Sequence, residues 1–362
     1  MSFRRLYGCR ILLVLVLCLL PGMARAQSLL WSAECVPYFD NREYTYARTP
    51  SETLFATRLS PTIGVGFGNH SIVAGVSWIQ PIDSRWDEAT FKPTVYYRYD
   101  TPEFAMSMGL FPRTQLIEPL DDFMASDSLT FFSPNIQGAL FQHRSKLGYV
   151  EALCDWRSLP TRTTREAFMV VAQGRINITP YLFAGGAAVM NHLARAREEQ
   201  PEHATHVTDN LMIRPYVGVD LTHYTPLDSL TLRCGYLATF DRERGVTDWL
   251  VSHAFVADLT LEWRFLGLRN RFYYGTAAQP LYDRFAALLY QGEAYYTADW
   301  HDRLDIYGYI FRNSFVNCYA SIGLYFTPGG QVGCRQLLTV RAYIDQDFKA
   351  RHKSGKRIRN IF

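Results

Sequence analysis

Successive side chains of an extended chain point to opposite faces, so a strand dividing two environments alternates apolar and polar residues with period two. From residue 211 onward this sequence does so over long segments. Leu211, Ile213, Pro215, Val217, Val219 and Leu221 share one face, and Arg214, Tyr216, Gly218, Asp220 and Thr222 the other. Leu230 to Phe240 repeat the pattern against Ser229 to Thr239, as do Phe255 to Phe265 against Ser252 to Arg264. It returns at 316–326, at 338–348 and, earlier, at 104–110. Segments of about ten residues can cross the apolar layer of a bilayer at a tilt, whereas strands in soluble sandwiches average about 5–6. The polar faces carry charges of both signs, which suits a polar interior, and the apolar faces suit lipid. The pattern predicts an all-β chain folded as a transmembrane, antiparallel, up-and-down β-barrel.

Single-chain bacterial barrels have even strand numbers, and the tally here is odd, so about 16 strands are expected, with 18 the alternative. Residues 136–144 and 179–190 alternate poorly, and Lys356 to Phe362 could add a short last strand. Short turns are expected at 68–69, 100–102, 144–146, 225–228 and His301-Asp302, and longer, more charged connections at 37–50, 80–90, 112–135, 191–210, 241–248 and 277–288. In outer-membrane barrels short turns are periplasmic and long loops extracellular, which makes Leu29 to Val36 an ascending first strand.

The ends agree with export. Arg4, Arg5 and Arg10 precede the apolar run Ile11 to Leu20, and Ala24-Arg25-Ala26 is a small-x-small cleavage site. Cleavage is expected before Gln27, leaving a barrel over 27–348 and a basic tail or short last strand over 349–362. Without the four arginines of the leader, the 37 basic residues fall to 33 against 34 acidic ones, and six of the 33 lie in the tail. The body is therefore acidic, and no nucleic-acid partner is expected. Aromatic residues make up 15% of the chain, with 23 Tyr and 7 Trp, as membrane-interface girdles require. Cys35, Cys154, Cys234, Cys318 and Cys334 remain after cleavage, with no CxxC or Cys/His spacing, so neither a disulfide framework nor a metal site is expected.

The chain resembles a family of uncharacterised outer-membrane β-barrel proteins of Bacteroidetes. The resemblance lies in Tyr38-Phe39-Asp40-Asn41-Arg42-Glu43-Tyr44, Phe111-Pro112-Arg113 running to Asp127-Ser128-Leu129, Gln279-Pro280-Leu281-Tyr282-Asp283 and Phe311-Arg312-Asn313-Ser314-Phe315-Val316-Asn317. It implies an outer-membrane location and a barrel architecture, and no activity.

No nucleophile elbow, HExxH or phosphate-binding glycine loop occurs. Gly64-Val65-Gly66-Phe67-Gly68 closes a strand, where glycines relieve packing. Of the histidines, His143, His192, His203, His206 and His253 fall near loops or strand ends, and His253 points away from its neighbour Ser252. No catalytic residue and no cofactor is expected, an outer-membrane hydrolase being the remote alternative. The interior is expected to carry Arg214, Asp220, Arg233, Asp258, Glu262, Arg264, Glu293, Asp299, Arg303, Asp305, Arg341 and Asp345. Arginine forks pair bidentately with carboxylates, so such a set braces the wall and sets a transverse field. A tyrosine cluster, Tyr295, Tyr307, Tyr309, Tyr319, Tyr325 and Tyr343, is expected on the last strands. The connection 112–135 combines Glu118, Asp121, Asp122 and Asp127 with Leu116, Ile117, Leu120, Phe123, Phe131 and Phe132. Long loops with apolar anchors tend to be functional, and this one is expected to fold inward, set its carboxylates against arginines and constrict a pore.

These features make the expected function a passive or modestly selective channel for small hydrophilic solutes. The alternative is a non-conducting barrel whose extracellular loops bind a partner or assist surface glycan assembly or export. Outer-membrane lipid and lipopolysaccharide are the expected surroundings in either case.

Overall fold

The computed structural model describes residues 27–46, 48–162, 164–195, 206–330, 332–354 and 356–358. The expected signal at 1–26, His203 and the last residues of the tail lie outside them. Sixteen antiparallel strands form one closed barrel in sequence order, each bonded to the next, with the first sealing against the last. They are β1 Gln27–Glu43, β2 Glu52–Phe67, β3 His70–Pro81, β4 Thr90–Asp100, β5 Phe104–Pro112, β6 Asn135–Arg144, β7 Gly148–Ser158 and β8 Ala167–Asn177. There follow β9 Leu182–Leu193, β10 Thr208–Asp220, β11 Ser229–Glu243, β12 Leu250–Trp263, β13 Leu266–Gly275, β14 Trp300–Arg312, β15 Val316–Phe326 and β16 Val332–Asp345. Closure leaves no edge strand with unpaired backbone groups in lipid.

The weakly alternating segments are both strands, β6 and β9, because they face a partly apolar interior that blurs the contrast between faces. The expected turn at His301-Asp302 falls inside β14. Three further tight connections, 178–181, 264–265 and 313–315, and two further connections at the opposite end, 159–166 and 327–331, complete the alternation. β1 runs seven residues past Val36, so much of the expected loop 37–50 is wall. No strand is needed after β16; Phe348–Lys353 forms a short helix, α3, preceded in the chain by α1 (Asp127–Phe132) and α2 (Tyr282–Phe285).

The outer face carries the apolar set: Leu29, Ile63, Val217 and Ile306 are all half or more exposed. Tryptophans mark two levels. Trp78, Trp86, Trp156, Trp249 and Trp300 stand towards the end with long loops, and Trp31 and Trp263 towards the end with short turns. Two such belts are the interface girdles of a membrane barrel. At the Gly68-Asn69 hairpin, Gly68 adopts φ +56°, a conformation glycine takes without a Cβ penalty.

Ile213 sits on the outward face midway along β10, across from Ala188 and Ala238. Ile213→Arg is expected to cost about 2–4 kcal/mol, read from reversible urea unfolding in phospholipid vesicles. An unchanged midpoint would mean that this face does not meet lipid.

Candidate functional site

Two long loops fold into the barrel from the extracellular end. Loop 113–134 brings in Leu116, Phe123, Met124 and Phe131, all nearly or wholly buried, and loop 276–299 brings in Leu281, Phe285, Leu289, Tyr290 and Tyr296. Phe131 packs with Tyr38 and Ile79 in a second apolar cluster, and the others pack on inward residues of the wall such as Leu140, Leu153, Met169, Val189, Met212, Leu237 and Val256 as one apolar core. Each fully buried Leu, Phe or Met contributes about 1.5–3 kcal/mol. The two loops also hold each other: Glu293 N donates to Asp122 O at 2.7 Å, and Ser126 N to Gln291 O at 2.9 Å. Ser126 caps α1, its hydroxyl accepting from Leu129 N at 3.3 Å.

Beside and below this core lies a lattice of ion pairs. Arg214, wholly buried, donates to Asp121 at 2.7 Å and to Asp258. Arg233 reaches Asp121 at 2.6 Å and Asp258 at 2.9 Å, and Arg271 bonds Asp121, Asp122 and Asp258. Arg303 spans Asp305 at 2.8 Å and Asp127 at 3.0 Å. Arg335 joins Asp127 to Asp40 on β1. Burial alone would raise the Asp121 carboxyl, yet Arg233, Arg214 and Arg271 hold it well below the usual carboxylate range. Asp127 is likewise held low against its burial, by Arg303 and Arg335. A carboxyl depressed on folding adds stability above its unfolded value, about 4, and loses it only as pH falls towards the lower folded value.

The other residues singled out in the sequence take varied places. Glu118 is 4.0 Å from Arg175, which also reaches Asp220 at 3.6 Å. Glu262 accepts from Tyr307 at 2.9 Å, Arg341 pairs with Glu34 at 2.7 Å, and Asp345 with Arg351 of α3 at 2.9 Å. Arg264 is no part of the interior. It occupies the β12–β13 turn at φ +58°, exposed, over the Trp263 ring. Glu293, Tyr295 and Asp299 belong to loop 276–299 rather than to a strand, where the buried run Ala294–Ala298 removes the contrast that marks a loop and Asp299 is exposed. Tyr295 stacks on Tyr325 at 4.5 Å, Tyr307 and Tyr319 lie 5.3 Å apart with Tyr309 beside both, and Tyr343 lies by Arg341. Glu34, Asp40, Arg271 and Arg335 went unremarked in the sequence. Asp40 was hidden by ending β1 too early, although continued alternation through Tyr38, Asp40 and Arg42 marks the inward face.

A different arrangement stands on the outer wall at the extracellular end of β9 and β10. His192 and Asp209 are directly opposed across the strand pair, on the outward face. Asp209 Oδ1 lies 3.0 Å from His192 Nδ1. A carboxylate only accepts, so Nδ1 carries the proton and Nε2 of the neutral ring is left as an acceptor. Arg244 clamps the same carboxylate at 2.7 and 3.0 Å, and Arg242 reaches it at 3.3 Å while lying over the Trp249 ring. Phe168 stacks on His192, and Trp156 on Phe168. The other outward histidine at this end, His253, contacts the Tyr236 hydroxyl and has no carboxylate partner among the described residues. Ser252 is buried inward, on the opposite face.

The sequence matches the Lipid A 3'-O-deacylase-type family model over residues 22–348. The chain belongs to that family. The family is named for an enzyme activity, which corrects the expectation of a barrel without one. Membership agrees with an outer-membrane barrel family. No curated protein matches the sequence. Among solved structures the chain is similar to OmpT of Vibrio cholerae, with TM-score 0.54 and 9% identity over 89% of this chain and 99% of that one. It is also similar to OccK5 (OpdH) of Pseudomonas aeruginosa, at 0.54 and 9% over 88% and 98%, and to OprD of the same organism, at 0.52 and 10% over 88% and 96%. Likeness at such identity establishes the fold: the family member described here is a 16-strand outer-membrane barrel.

Asp121→Asn leaves three arginines short of a charge, and removing one partner of a buried pair costs about 3–5 kcal/mol. Amide hydrogen exchange over 116–126 is expected to rise by orders of magnitude in this variant at pH 7. In the wild type the same amides should stay protected down to about pH 4. Equal protection in both proteins would show that the carboxylates do not hold the loop.

Proposed function

We propose that this protein is an outer-membrane esterase that removes an acyl chain from an outer-leaflet glycolipid of the lipid A type, with His192 as general base on the lipid-facing wall. The observation that carries the reading is the outward His192–Asp209 pair at the extracellular end, where acyl esters of outer-leaflet lipids reside. Family membership supports it independently. The filled upper barrel supports it too, since the loops are turned inward and engaged with the wall.

In this mechanism Nε2 of His192 accepts a proton from water as the water oxygen attacks the acyl carbonyl. The ester C–O bond then breaks, and His192 returns the proton to the departing sugar oxygen, giving a fatty acid and a lipid with one free hydroxyl. Asp209 fixes the ring tautomer and steadies the imidazolium, while Arg242 and Arg244 hold Asp209 in place. The Trp156–Phe168 stack offers an apolar surface for the acyl chain. Export through the 1–26 signal with cleavage before Gln27, and residence among lipopolysaccharide, belong to the same proposal.

Solute passage, the expectation from alternation and loop lengths, has one observation in its favour: a cavity of about 710 Å³ below loop 113–134. Any conducting path would have to pass both inward loops, which an apolar core and a lattice of ion pairs hold in place.

The test is acyl release from lipid A in mixed detergent micelles, followed by mass spectrometry. Wild-type protein is expected to remove an acyl chain, and His192→Ala and Asp209→Asn to slow release about 100-fold or more. Wild-type rates in both variants, or an inert wild type, would overturn the proposal.

A further inference from the structure

The cavity below loop 113–134 holds a charge that the ion-pair lattice leaves unmatched. Its roof is the loop, its floor includes Arg351 and Ile358 of the C-terminal segment, and its wall is β8 to β16. The arginines bordering it each hold a carboxylate, as Arg175 holds Asp220, Arg341 Glu34 and Arg351 Asp345, with one exception. Arg269 on β13 makes no ion pair and no hydrogen bond among the described residues; its guanidinium lies 5.0 Å from the Tyr307 ring centre. Asp305 stands across from it in register, but Asp305 is engaged by Arg303 at 2.8 Å.

The surroundings hold Arg269 through rings and the Coulombic attraction of Asp305, without a direct hydrogen bond among the described residues. The Tyr307 ring overlies Gly267, where a Cβ would clash with it, and the Tyr307 hydroxyl is tied to Glu262 at 2.9 Å. Tyr319 packs on Tyr307 from the next strand. Thr231, Thr260 and Ser321 line the same space from neighbouring strands. Arg269 is half-buried, and none of its nitrogens is sealed off unsatisfied, so the guanidinium faces the cavity, where its planar fork suits a carboxylate or phosphate. A cavity of about 710 Å³ falls within the usual range for small-molecule sites, about 300–1,000 Å³.

We infer that this cavity is a binding site for a small polyhydroxylated anion, with its carboxylate or phosphate on Arg269 and its hydroxyls on the Thr and Ser side chains. The site lies inside the barrel and is independent of the chemistry assigned to the outer wall.

Isothermal titration of the full chain in detergent tests it, using glucuronate and inorganic phosphate as the two anions and glucose as the neutral control. At least one anion is expected to bind the wild type, glucose to bind at least tenfold more weakly, and Arg269→Gln to weaken the anion at least tenfold. Heat-modifiable migration on gels checks that the variant is folded. Should it not be, Arg269→Lys decides: it keeps the charge but not the fork, and glucuronate should bind several-fold more weakly. Failure of both anions to bind the wild type, equal binding of glucose, or unchanged affinity in the folded variant would overturn the inference.

Discussion

An arginine taken out of water costs several kcal/mol unless a carboxylate meets it with good geometry. This barrel turns Arg214, Arg233, Arg271, Arg303 and Arg335 inward, and the wall alone does not match them. Asp258, Asp305 and Asp40 supply part of the compensation, and Asp121, Asp122 and Asp127 of loop 113–134 supply the rest. The loop is thus a structural component of the wall's charge balance. Once it is seated, its aromatic and aliphatic anchors have an apolar surface to meet, and loop 276–299 closes over it.

That placement packs the upper interior with apolar loop side chains beside a buried polar lattice, and it sets which surfaces stay accessible. A barrel filled from the extracellular end has a rim and an outer wall as its accessible surfaces on that side. His192, Asp209, Arg242 and Arg244 stand there, beside lipid, and an enzyme acting on lipid needs its reactive groups outside the barrel. The same fold can therefore serve a family named for an enzyme while resembling OprD and OmpT in backbone.

Much of the wall was legible because outward Ile213, Pro215, Val217 and Val219 are apolar while inward Arg214 and Asp220 are charged, a contrast that lipid and a polar interior impose together and that inward Met212 of the apolar core breaks. Legibility failed where the inside is apolar as well. In β9, Val189 and Leu193 face an apolar core, so the period weakens. Tyr295 looked like part of a strand because the segment Ala294–Ala298 is buried within the barrel and carries the apolar character of a wall. The acidic loop announced itself through carboxylates spaced among aromatics, which no solvated loop needs. His192 and Asp209 stayed unpaired in the sequence, because seventeen positions separate them and their meeting depends on the β9–β10 register.

With loops 113–134 and 276–299 seated inside the barrel, the proposed chemistry falls to the outer wall and the lumen is expected not to conduct. Single-channel recording of the refolded protein in planar lipid bilayers tests it most directly. The account predicts no sustained ohmic conductance across the voltage range in the wild type. Stable open channels in wild-type protein, present from the moment of insertion, would contradict it.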